Sequence, residues 1–399
     1  MTTTTVDELG VVTSRPPRAP RLTSVDMLRG LVIILMALDH TRDFFHARAW
    51  LLDPLDPAQS DVALYATRWI THFCAPTFVM LAGMSAFLQG EFGKSQGGLA
   101  RFLLTRGAWL VFLEMVVINF GWNFSIPGFG LSVIWALGVS MIALAGLIWL
   151  PRRAVLAIGV AIIAGHNLLD PVVPAQLGAA APVWVALHEG GPTLTAFFIV
   201  YPVLPWIGVM ALGYGLGPIL VGDPARRRRL LAVVGLSMIA AFFVVRGINL
   251  YGDPQGWTVR SEGLRTAFSF LNVRKYPPSL DYLLVTLGGG LALLPVLERL
   301  KGALADLLLV YGRAPLMFYV AHIYLIHVLA LAAGMAMGFD PAIFVGVMVD
   351  PSGMAAARWG LPLAGVYGVW LLVLALLYPV CRWWGALKQR RRDWWLSYL

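Results

Sequence analysis

The chain is 399 residues long, 59% hydrophobic and only 13% charged, with a formal net charge of +9 and a mean hydropathy of +0.75. Soluble domains hold roughly 45–50% apolar and about 25% charged residues, so a water-soluble globular fold is excluded. Two cysteines, Cys74 and Cys381, supply no disulfide framework and say nothing about redox compartment.

The apolar residues come in runs of about 18 to 27, the length that crosses ~30 Å of hydrocarbon as a helix, and nothing alternates in the ~10-residue segments of a barrel. The expected fold is all-α: a polytopic transmembrane helix bundle of about 10 spans. Residues 1–20 are polar, lack the apolar core of a signal peptide and read as a flexible cytoplasmic tail. Residues 21–384 form one transmembrane domain, and 385–399 a basic cytoplasmic tail.

In chain order, a first span at about 27–45 places Asp26, Arg29, Met36, His40 and Asp43 near one helical face. Arg29 and His40 are eleven residues apart, roughly 16 Å along that stripe. Asp39 lies about 100° round the helix and reads as supporting or solvated. The second span, 63–88, carries His72, and the third, 102–120, carries Glu114. A fourth (131–150) and a short fifth (154–170) follow; His166, Asp170, His188 and Glu189 near and beyond them read as solvated. In the sixth span, 194–220, Pro202 and Pro205 are expected to break the helix, as is tolerated where freed carbonyls line protein or a wet chamber. A seventh span (230–248), a long loop (249–279) with Lys275 and Tyr276, and an eighth span (280–297) lead to a long ninth, 303–334. There Arg313, Tyr324 and His327 form a second stripe, while His322 lies about 140° from His327, so at most one of these histidines faces the cavity of His40. The tenth span is 361–383.

Lys and Arg concentrate on alternate connections, at Lys94 and Arg101, Arg152 and Arg153, Arg226 to Arg229, Arg299 and Lys301, and Lys388 to Arg392, whereas 121–130 and 171–192 have none. By the positive-inside tendency both termini are cytoplasmic. The net charge is therefore a topology signal and not a nucleic-acid footprint. Ionisable groups inside spans cost several kcal/mol unless paired or wet, which makes each a functional candidate. His40, His72, Glu114 and His322 fall at similar depth, near midplane or in the outer leaflet. No HExxH or close carboxylate set suggests a metal, and no GxSxG elbow suggests a serine hydrolase.

The stretch Ser24-Val-Asp-Met-Leu-Arg-Gly30 followed by Met36-Ala-Leu-Asp-His40 resembles the opening of the heparan-alpha-glucosaminide N-acetyltransferase catalytic-domain family, in its bacterial branch. It is also similar to the first helix of the membrane acyltransferase-three O-acetylases. Thr71-His-Phe-Cys-Ala-Pro-Thr-Phe78 with Leu81-Ala-Gly83, Tyr201-Pro-Val-Leu-Pro-Trp-Ile-Gly208 with Gly213-Tyr-Gly215, Lys275-Tyr-Pro-Pro-Ser-Leu280, and Gly312-Arg-Ala-Pro-Leu316 with His322 continue the likeness in family order.

The resemblance implies acyl transfer from cytosolic acyl-CoA, with acetyl-CoA as co-substrate and no metal, to a sugar or glycan on the far side of a membrane, here expected to be a bacterial inner membrane. His40 takes the place of the catalytic-helix histidine. Animal members have an Asn there, and Phe45-His46-Ala47 is similar to the surroundings of their proposed catalytic His, so His40 and His46 are both candidates for the base. The Arg29 stripe favours His40. Histidine suits a base at neutral pH, and the cations Arg29, Arg101, Arg106 and Arg313 suit the phosphates of CoA. The expected site is thus His40, Asp39 and His46 for chemistry, with Asp26, Arg29, His72, Glu114, Lys275, Tyr276, Arg313 and His322 around the substrates. Direct attack and an acyl-histidine intermediate both stay open, as does a homodimer. The rival class is a transporter or flippase for a small anionic or sugar-linked substrate, although no inverted repeat of interrupted spans is recognisable.

Overall fold

The computed structural model describes residues 22–126, 128–193, 197–391 and 393–398, and two short paired strands, Thr5–Val6 and Val12–Thr13. The remainder of the 1–20 tail lies outside the described residues. The helices are α1 (Thr23–Phe45), α2 (Val62–Ile70) leading through a 3-10 turn into α3 (Cys74–Glu91), and α4 (Gln96–Leu113) leading through a π turn into α5 (Asn119–Asn123). Next come α6 (Val133–Leu147), α7 (Arg152–Gly165), the single turn α8 (Ala181–Trp184), α9 (Val203–Leu216) and α10 (Pro224–Ile248). The last are α11 (Gly263–Leu271), α12 (Leu280–Leu297), α13 (Ala303–Gly312), α14 (Pro315–Ala336), the short α15 (Ser352–Ala356) and α16 (Leu363–Arg390).

Among the described residues, eight helical segments are long and apolar enough to cross a membrane. Helix α1, at 23 residues, is about 35 Å long and so also long enough, but it carries five charged side chains. α6 and α13 are apolar and shorter. The bundle is all-α apart from the paired tail strands and a small sheet in which Phe129–Leu131 runs parallel to Phe197–Ile199, itself antiparallel to Gly191–Pro192.

α1 is the hub, packed against α13, α14, α16, α3 and α12. Glycine lets it approach: a Cβ on Gly30 would strike the backbone of Leu308, and one on Gly312 the backbone of Asp26. Gly83 of α3 and Gly213 of α9 meet in the same way, each against the other helix's main chain at Met210 and Met80. Small residues at such crossings are what apolar surroundings demand, since close van der Waals contact there replaces the hydrophobic drive.

Several expected boundaries differ. The ninth span is two helices, α13 and α14, parted at Arg313 and Ala314 because Pro315 starts a new helix at its first position. Pro202 and Pro205 do not break a helix; Pro202 is the N-cap residue of α9 and Pro205 lies in its first turn, where missing N–H donors cost nothing. The boundary expected at 384–385 falls inside α16, which runs unbroken to Arg390.

Candidate active site

A cavity of about 580 Å³ opens beside α1. Arg29, Lys94, Arg106, Arg313 and Lys388 line it at one end; Ile33, Leu137, Met141 and Leu316 are among its apolar walls; Met36, Ile134 and Tyr319 line it further along α1, α6 and α14. Arg29 is placed by its bonds to Asp26 (3.2 Å), to the Leu81 carbonyl and to the Ser85 hydroxyl. Arg313 sits at the break between α13 and α14, so it does not share a continuous helical stripe with Tyr324 and His327. Of the four cations expected together, Arg101 is exposed and does not line the cavity.

One turn beyond Met36 is His40. Its Nδ1 lies 2.8 Å from Nε2 of His322, which is wholly buried, and the two rings are inclined by 13°. His322 Nδ1 is 2.9 Å from the Phe318 carbonyl oxygen. Trp122 and Tyr319 stand edge-on to His40 at centroid distances of 4.8 and 6.2 Å. Tyr319 therefore touches the cavity on one side and His40 on the other. His327 is held elsewhere, its two nitrogens on the carbonyls of Gly121 and Phe344, each at 2.8 Å.

Beside His40 on α1, Asp39 is not solvated. It is 8% exposed and ringed by Arg42 (3.2 Å), Arg68 (3.7 Å) and Lys275 (3.8 Å). Three cations around one carboxylate explain its burial, because a lone buried carboxylate would be prohibitively costly. Arg42 also pairs with Asp43, and Arg68 reaches Thr71 and, at 3.3 Å, Nδ1 of His72. Tyr276 is 40% exposed and packs edge-on to Tyr201. Arg42 and Arg68 escape a sequence reading because each sits near the end of a span, where a cation looks like an interfacial anchor.

Glu114 is bonded to the start of α6. Its two carboxylate oxygens accept bonds from the Ser132 hydroxyl (2.6 Å) and from the backbone N–H groups of Ser132, Ile134 and Trp135, which caps the start of α6. It thereby holds the wall of the cavity formed by Val133 and Ile134. His46 is the C-cap residue of α1, six residues beyond His40 and about 9 Å further by helix rise. Burial and the Arg42 guanidinium lower its pKa, and its Nδ1 accepts from the Arg48 N–H. His166 and His188, expected to be solvated, are each 2% exposed; their rings meet edge-on at a centroid distance of 5.9 Å, and His188 Nε2 bonds Asp170 at 3.0 Å. Hydrogen bonds from His188 and Asn167 outweigh burial and lower the Asp170 pKa. Among the described residues, no three His, Cys, Asp or Glu side chains are grouped to hold a metal.

The arrangement offers a cationic entrance for an anionic ligand, an apolar passage and, past Tyr319, an imidazole pair. No curated protein matches the chain. Residues 21–250, more than half of it, match the family described as heparan-alpha-glucosaminide N-acetyltransferase, catalytic. The match covers His40, Asp39 and Arg29 and stops short of Lys275, Arg313 and His322.

Proposed function

The chain belongs to the heparan-alpha-glucosaminide N-acetyltransferase catalytic family and is a membrane acetyltransferase; on that premise we propose that acetyl-CoA is its donor, held in the basic-mouthed cavity, and that His40 is the base. The observation that carries the proposal is the continuity from five cations, through apolar walls, to Tyr319 and the His40–His322 pair. Guanidinium and ammonium groups suit the phosphates of the nucleotide end, and an apolar passage suits the thioester arm. The mouth faces the cytoplasm, as the bias of Lys and Arg toward the same connections supports.

The acceptor is an amino sugar or related glycan that approaches from the side of Asp39, Lys275 and Tyr276. As its nitrogen or oxygen bonds to the acetyl carbon and the C–S bond breaks, its proton passes to His40 Nε2. The leaving thiolate of CoA takes that proton back, so the enzyme ends unchanged. Transfer is direct, without an acyl-histidine. Purified protein given labelled acetyl-CoA without acceptor therefore accumulates no acetyl label; a stoichiometric acetyl-protein would overturn direct attack.

The donor assignment is tested by calorimetric titration of acetyl-CoA in detergent. Wild type and His40→Ala bind alike, while the double variant Arg29→Ala/Arg313→Ala binds at least ~10-fold more weakly, about 1.4 kcal/mol or more. Equal binding by all three would remove the phosphates from this cavity.

A further inference from the structure

Resting on the reading of His40 as base, we infer that His322 is a positioning residue: it fixes the tautomer of His40 so that Nε2 is the bare nitrogen. The Phe318 oxygen can only accept, so His322 Nδ1, 2.9 Å away, carries a hydrogen. A neutral imidazole has one donor nitrogen and one acceptor, so His322 Nε2 is a lone pair. That lone pair lies 2.8 Å from His40 Nδ1, which must then carry the hydrogen between them. His40 Nε2 is left unprotonated, the form a general base needs, and no protein group bonds it among the described residues.

The ring geometry agrees. Centroids 5.0 Å apart with planes inclined by 13° describe an in-plane N–H···N bond between two imidazoles. Phe318 lies against His322 with its ring at 16°, and His322 is 0% exposed, so no solvent competes for its Nε2. Without His322, His40 would be free to carry its proton on Nε2, where it could not accept one from the acceptor. When the proton arrives, the Nδ1–H···Nε2 bond becomes charge-assisted and stronger. A neutral imidazole does here the orienting work that a carboxylate does in other dyads, and avoids the cost of a second buried charge.

Two variants of the full-length protein separate positioning from packing. In His322→Gln the amide oxygen can accept from His40 while the NH₂ group donates to Phe318; His322→Leu keeps bulk and loses the acceptor. The expected result is a fall in kcat of at least ~10²-fold for His322→Leu, in keeping with the large cost of a wrong tautomer elsewhere, rescued to within ~10-fold of wild type by His322→Gln. Acetyl-CoA affinity stays within ~3-fold in both. A second readout needs no turnover: ¹⁵N-histidine NMR, with the His40 signals identified by their loss in His40→Asn, shows Nδ1 protonated in wild type and His322→Gln, and Nε2 protonated in His322→Leu. Wild-type His40 protonated at Nε2 would overturn the inference, as would equal kcat losses in the two variants with an unchanged tautomer. The assigned tautomer in a protein that transfers no acetyl group would instead uphold the inference about His322 and remove the acetyltransferase chemistry.

Discussion

At Asp39 one carboxylate faces the guanidinium groups of Arg42 and Arg68 and the ammonium of Lys275, all within 4 Å and each no more than a tenth exposed. Removing its charge leaves three cations with Asp43 as the remaining nearby carboxylate. Breaking a buried pair costs about 3–5 kcal/mol, so Asp39→Asn should lower the midpoint of thermal unfolding by several degrees, and Lys275→Met in the same chain should restore part of the loss. An unchanged midpoint in Asp39→Asn would mean the cluster is balanced some other way. The sequence makes His40 and Arg29 legible because spacing along one helix is enough to align them. It singles out His322 but not its partner, since the bond joins residues 282 positions apart, and no periodicity encodes a crossing between α1 and α14. Glu114 shows the same limit: its depth singles it out along the chain, but the N–H groups its carboxylate accepts from belong to the next helix.

On the scale of helices, the site depends on how closely α1 and α13 can lie. Gly30 and Gly312 put main chain against main chain, and this contact brings their neighbours Arg29 and Arg313 to the lining of one cavity. A leucine at Gly312 cannot be absorbed by a flexible neighbour, because what it meets is the backbone of Asp26. Gly312→Leu should therefore destabilise the protein by at least the ~1–3 kcal/mol of an overpacked core and weaken acetyl-CoA binding, whereas a leucine at Gly146, with nothing near its Cβ, should do neither. Equal effects at both positions in thermal unfolding would deny the close crossing. These glycines stand inside the stretches that carry the family resemblance, so their importance was visible in the sequence; their pairing was not. The division of 303–336 into α13 and α14 was also visible in principle, in Pro315, but an unbroken apolar run on both sides hid it.

For the whole molecule, composition and run length settle the class, because no other fold accommodates so many apolar segments of bilayer length. Eight such helices stand among the described residues, with the more polar α1 as the hub against which α3, α12, α13, α14 and α16 pack. A charged helix at the centre of a membrane bundle is the arrangement expected when its polar groups are paired or face a wet cavity. That is how Asp26, Arg29, Asp39, His40 and Arg42 are placed. The cavity could not be read from the sequence, since it is the space left between α1, α3, α4, α6 and α14 once they pack. Lys94 and Lys388 show the difficulty: read along the chain they mark only the side of the membrane, while in the fold they join the mouth.

The most direct test of the account is acetyl transfer from labelled acetyl-CoA to a glucosaminide by purified protein, with donor affinity measured on the same samples. Wild type should transfer, His40→Ala should lose at least ~10³-fold in kcat with donor affinity unchanged, and His46→Ala should transfer near-normally. Full transfer by His40→Ala, or loss in His46→Ala alone, would contradict it.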